Sequence, residues 1–138
     1  MKINIEIVDQ INTKDVYEKL SHIDCGGICV FIGNVRGTSG NVPVEKLFFE
    51  SYDQMAIKEM KIIAKEALNK WNLQKIIMRH VRGSKKVNEP VVLVGASSAH
   101  RNECFEACRF LIDSLKKSVP IWKKEFFKNK TIWVASHP

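Results

Sequence analysis

Pro90–Pro120 reads PVVLVGASSAHRNECFEACRFLIDSLKKSVP, and the change of rhythm inside it decides the fold. Pro90–Ala99 is an almost continuous apolar run, the length of one buried strand. Beyond Asn102, which can cap a helix, the apolar residues move to helical spacing. Phe105, Cys108, Ile112 and Leu115 are expected to face inward on a helix from about Glu103 to Ser118. Pro120 stops that helix, because it has no amide hydrogen to give to a further turn.

Reading outward, LQKIIMRHV (Leu73–Val81) is expected to form a strand beside Pro90–Ala99, joined to it through Gly83–Asn88. The longest helix spans about Gln54–Trp71. Ala56, Met60, Ile63 and Ala67, with Ile57, Ala64, Leu68 and Trp71 beside them, make a wide stripe for packing on a sheet. VEKLFFESY (Val44–Tyr52) and GGICVFIGNVRG (Gly26–Gly37) read as strands, separated by the turn-rich GTSGNVP (Gly37–Pro43). Ile3–Val8 alternates apolar and polar residues as a strand does. A helix over Asn12–Ile23 follows, capped by Asn12 or Thr13, with Val16, Leu20 and Ile23 on one face. TIWVAS (Thr131–Ser136) is a final short strand. Strands in a run, with helices inserted between some of them, predict an α+β fold with a largely antiparallel sheet flanked by helices.

The chain has 138 residues, 45% hydrophobic and 27% charged. That is the size of one domain, 1–138, burying roughly two-thirds of its unfolded surface. No apolar run approaches the ~20 residues of a membrane span. The start, MKINIEIVDQ, lacks the apolar core of a signal peptide, so a cytoplasmic location is expected. A net charge of +7 favours an anionic partner: nucleic acid, an acidic protein or a phosphorylated small molecule. The cysteines fall in two C-x3-C pairs, Cys25/Cys29 and Cys104/Cys108. Zinc sites favour other spacings, so reduced structural thiols are expected, and no metal.

SLKKSVPIWKKE (Ser114–Glu125) carries the chemistry. Lys116 sits at the edge of the helix's apolar face, and Trp122 is expected to anchor the returning segment in the core. That arrangement sets Lys123 near Lys116 in a partly dry place. Desolvation and a neighbouring cation both lower a lysine pKa, which suits it to proton transfer or nucleophilic work. Lys117 and Lys124, one residue along, point to solvent. His100 and Arg101 stand where a strand becomes a helix, a natural anion clamp. Arg36, closing an apolar strand beside a glycine, is a further anion ligand.

GGICVFIGNVRG, LFFESYDQMA, SSAHRNECFEACRFLIDSLKKSVPIWKKE and the closing IWV together resemble the catalytic, large subunit of molybdopterin synthases, over nearly the whole chain. The resemblance implies a hammerhead-type α+β fold that dimerises, each end of the dimer holding one small ubiquitin-like subunit. That partner's C-terminal Gly-Gly thiocarboxylate supplies sulfur to cyclic pyranopterin monophosphate, giving the dithiolene of molybdopterin. No resident cofactor is implied, and no nucleic acid or membrane partner. Lys116 resembles the family's main catalytic residue and Lys123 its second, both also contacting substrate. Arg36, His100 and Arg101 resemble its pterin-phosphate pocket, which lies near the dimer interface and draws on both protomers.

Two departures stand out. The family's H-R-x-G stretch is His80-Val81-Arg82-Gly83 here, so Arg82 receives no substrate role. The chain ends at Pro138, where many members run on, so contacts of that extension are not carried over. The rival readings are a basic nucleic-acid-binding module and a non-catalytic scaffold for a ubiquitin-like protein. Against the first, the basic residues are not expected to form one stripe interleaved with exposed aromatics.

Overall fold

A computed structural model describes residues 2–135. The elements run β1 (Ile3–Val8), α1 (Val16–Leu20), β2 (Gly27–Asn34), β3 (Thr38–Ser39), β4 (Val42–Pro43), β5 (Lys46–Ser51), α2 (Asp53–Lys70) and β6 (Lys75–Val81). They continue with β7 (Gly83–Lys86), β8 (Pro90–Ser98), α3 (Arg101–Ser118), β9 (Ile121–Phe126) and β10 (Thr131–Ala135). The fold is α+β with mostly antiparallel pairing, as the sequence predicts. It has two four-stranded sheets, however, ordered β1-β6-β8-β2 and β10-β9-β5-β7, with β3 and β4 as a separate hairpin. Among the described residues only β1 with β6 is parallel.

The first sheet is the centre of the core. Ile76, Ile77, Met78, Leu93, Val94 and Ala96 of its two middle strands are fully buried. α2 and α3 pack on one face, where the Cys108 thiol of α3 lies over the Val94 carbonyl. α1 covers the other face. There Gly95 leaves room for Leu20, since a Cβ would come within 2.8 Å of Leu20 Cδ1.

Several expectations change. The Gly83–Asn88 link contains a strand, β7, paired with β5 in the second sheet. Gly83 at φ +90 and Asn88 at φ 72 supply the left-handed turns that bend it away from β6. The stretch after Pro120 is also a strand, β9. Its alternation buries Ile121 and turns Trp122 outward, 40% exposed, against Tyr52 rather than into the core. Phe105 is 60% exposed. The buried stripe of α3 is Cys104, Ala107, Cys108, Leu111, Ile112 and Leu115, whose small members bring the helix close to the sheet.

The first helix is a turn and a half. Ile23 lies beyond its end, 96% exposed. Asn12 does not cap it but accepts a bond from the Lys14 amide at 2.9 Å. α3 starts at Arg101, and Ser98 Oγ, not Asn102, accepts an amide hydrogen of its first turn, from Cys104 at 3.0 Å. Ser136 of the last predicted strand lies outside the described residues. Among the described residues no helix is long and apolar enough to cross a membrane.

Lysines and aromatics do interleave, contrary to expectation, on the outer face of the second sheet. Lys46 stands 4.6 Å over the Phe126 ring, and Lys124 stands 5.3 Å over Trp133. Cross-strand pairing produces this arrangement, which spacing along the chain does not disclose.

Candidate functional site

Strand alternation on β9 places Ile121, Lys123 and Glu125 on the inner face of the second sheet. Across the ladder they meet Ser51, Phe49 and Leu47 of β5. Lys123 is half-buried there. Burial holds its ammonium below the usual lysine range; Glu125 works against this, and the charges of Lys116 and Arg36 add to it. Lys116 and Arg36 thus lie close enough to Lys123 for their charges to act on it, and the proximity of Lys116 is what the sequence predicts. A lowered proton affinity suits a lysine to proton transfer, and neighbouring cations favour an anionic ligand.

Local structure explains each placement. Lys116 lies in the last turn of α3, directly after buried Leu115, so its stem follows the core edge. Val119, 1% exposed, and Ile121 pin the chain on either side of Pro120 and turn Lys123 back toward it. Arg36 follows buried Val35, whose amide donates to the Glu89 carbonyl at 3.0 Å and whose carbonyl accepts from Asn88 at 2.8 Å. That double bond to the β7–β8 turn fixes the end of β2.

Beside the cluster lie two residues to which the sequence reading gave no role. Phe49 meets His80 edge to face, ring centroids 5.0 Å apart. His80 Nδ1 lies 2.8 Å from the Val81 carbonyl, which assigns the proton to that nitrogen. Burial pushes the imidazole down to about 4; the bond to Val81 opposes this and the Lys116 charge adds to it. His80 is therefore neutral at physiological pH. Its position at the end of an apolar strand was the available signal, but only the packing of the two sheets makes it a neighbour of Lys116.

His100 and Arg101 do not join this cluster within one chain. They are exposed at the start of α3, and Lys116 lies about 22 Å further along the axis at ~1.5 Å per residue. Lys117 is exposed, and Lys124 points to the opposite face of its sheet. Arg82 is held by Asp9 at 2.9 Å and by Asp53. Among the described residues no three His, Cys, Asp or Glu side chains are grouped to hold a metal. The four cysteines are free, and burial pushes the Cys108 thiol up to about 12, with Cys29 and Cys104 adding to it.

Residues 7–118 match the family described as MoaE protein. The chain belongs to the MoaE family. It is 39% identical over 126 residues to a protein of Pyrococcus abyssi named molybdopterin synthase catalytic subunit, covering 91% of this chain and 85% of that one. The molybdopterin synthase structure from Staphylococcus aureus superposes with TM-score 0.89 at 30% identity, covering 97% of each chain. A Helicobacter pylori chain, solved in a complex of subunits 1 and 2 of molybdopterin-converting factor, shares the fold at TM-score 0.77 and 22% identity, covering 97% of this chain and 90% of that one.

Proposed function

We propose that this chain is the catalytic subunit of a molybdopterin synthase and that Arg36, Lys116 and Lys123 form its sulfur-transfer centre. The observation that carries the reading is the half-buried Lys123 ammonium, weakened by desolvation and by Lys116 and Arg36 beside it. The substrate is cyclic pyranopterin monophosphate. The sulfur donor is the C-terminal Gly-Gly thiocarboxylate of a small ubiquitin-like subunit.

Such a reaction needs cations at the cyclic phosphate as it opens, and a group that moves protons while sulfur adds and oxygen leaves. Arg36 serves the first need. Lys116 and Lys123 serve the second, one holding or attacking the thiocarboxylate while the other transfers protons. Phe49 and neutral His80 add no further competing cation beside the lysines.

The remaining phosphate ligands, His100 and Arg101, come from a second copy. A two-fold homodimer with α3 running antiparallel would lay the start of one helix against the end of the other. With one small subunit at each end, the assembly is a heterotetramer, working in the cytoplasm. The test is to mix the chain with a thiocarboxylated small subunit and the cyclic pterin and assay the dithiolene product. Absence of product, with both other components proven competent, overturns the proposal.

The interleaved lysines and rings of the second sheet favour one other reading, a single-stranded nucleic-acid surface. A salt titration against random oligonucleotides decides it. Steeply salt-dependent, sub-micromolar binding would support that reading.

A further inference from the structure

Away from the lysine cluster, backbone polarity and charge meet along the free edge of the first sheet. β1 turns the carbonyls of Lys2 and Val8 toward β6, accepting from the amides of Ile76 at 2.7 Å and Arg82 at 3.0 Å. Backbone groups alternate sides along a strand, so Ile3 and Ile5 direct their N–H and C=O groups to the opposite, open edge. Among the described residues no strand pairs with that edge.

The same two residues floor an open trough of about 740 Å³. Its walls carry Lys19 from α1, Lys61 and Lys65 from α2 and Lys75 from β6, with Glu18 as the one acidic residue. Among the described residues, none of the four lysines is engaged in an ion pair. Unpaired backbone groups at the bottom and unpaired cations on both sides are the two halves of a recognition site for an extended anionic chain.

We propose that this trough docks an acidic, extended segment of a partner protein, which adds to β1 as a further strand. Main-chain hydrogen bonds to Ile3 and Ile5 would hold its register. Carboxylates on its side chains would meet the lysines. A second copy of this chain is a poor occupant, because edge-to-edge pairing would set lysine against lysine. Nucleic acid fits poorly as well, because no aromatic side chain lines the trough to stack a base. Lysines beside an open edge also repel neutral and basic strands, so the charge that admits an acidic strand excludes the others.

The test uses the full chain and two capped ten-residue peptides of equal charge. One alternates valine with glutamate. The other has proline in place of each valine, which fixes every second φ and biases the backbone to polyproline II geometry, disfavouring strand pairing. Calorimetric titration should show binding of the first and at least about tenfold weaker binding of the second. The double variant Lys61→Glu/Lys65→Glu should weaken the first peptide about tenfold or more while leaving sulfur transfer unchanged. Hydrogen exchange at the Ile3 and Ile5 amides should slow when the peptide is bound. Failure of the valine peptide to bind at millimolar concentration overturns the proposal. So does equal binding of the proline peptide, or binding indifferent to the lysine substitutions.

Discussion

Lys116 and Lys117 are neighbours in sequence but about 100° apart around α3, one half-buried at the core edge and the other in water. Lys116→Ala should lower turnover by ~10²–10⁴-fold, the usual range for a lost proton-transfer group, while Lys117→Ala should do little. Lys123→Ala should be severe and Lys124→Ala mild, by the alternation of β9. Steady-state assay of the four single variants checks this; equal damage from Lys117 and Lys116 would reduce the effect to general surface charge. His80 makes a separate prediction. Its folded pKa of about 4 lies below the ordinary histidine value of 6.5, so the unfolded chain binds the proton more readily. The associated stability is complete above pH ~6.5 and is lost as pH falls toward 4, a loss on the order of 3 kcal/mol. Urea unfolding at several pH values should show this slope, and His80→Leu should flatten it. The paired lysines were legible because an amphipathic helix and a proline fix their geometry locally. Phe49 and His80 were not, because they meet only where two sheets pack.

Long elements with strong periodicity, α2, α3, β6 and β8, stand close to where the sequence places them. β7 and β9 do not announce themselves: Gly83–Lys86 is short and polar, and Lys123 and Lys124 break the apolar alternation of Ile121–Phe126. Cross-strand partners, rather than propensity, make both into strands. α1 is similar, since five residues form no stable helix alone. A tertiary contact holds it. Arg79, 4% exposed on β6, meets both carboxylate oxygens of Asp15 at 2.8 and 3.0 Å and reaches the Asn12 carbonyl at 3.0 Å and Glu6 at 3.2 Å. Arg79→Met should strand these acceptors and cost about 3 kcal/mol, the low end for breaking a buried pair, because Asp15 keeps some water. Thermal unfolding measures the loss. Faster hydrogen exchange confined to Val16–Leu20 would show that α1 leaves first.

For the whole molecule, the separation of His100 and Arg101 from Lys116 is the arrangement with most consequence. Arg101→Ala should weaken pterin binding much more than small-subunit binding, as loss of a phosphate contact would; equal weakening of both would move Arg101 to the protein interface. Mixing inactive Lys116→Ala chains with inactive Arg101→Ala chains separates one-chain from two-chain sites. If each site draws on two copies, half the dimers are mixed and each has one intact site, so activity should return to roughly a quarter of the unsubstituted level. No recovery after verified subunit exchange would confine the site to one chain. That distance along α3 could be estimated from sequence. The division into two sheets could not, because it depends on β7 leaving its neighbour β6 for β5.

The parallel ladder of β1 with β6 joins Ile3 to Ile76, and the cluster around Lys123 gathers residues from β5, β6, α3, β9 and the segment after β2. Contacts of such long range form slowly, because much chain must be ordered before they close. A nascent or half-folded chain therefore carries Lys123 as an ordinary hydrated, protonated amine. The lowered proton affinity of Lys123 comes into being only with the final tertiary structure, so an unfinished chain lacks the altered ammonium on which the proposed chemistry rests.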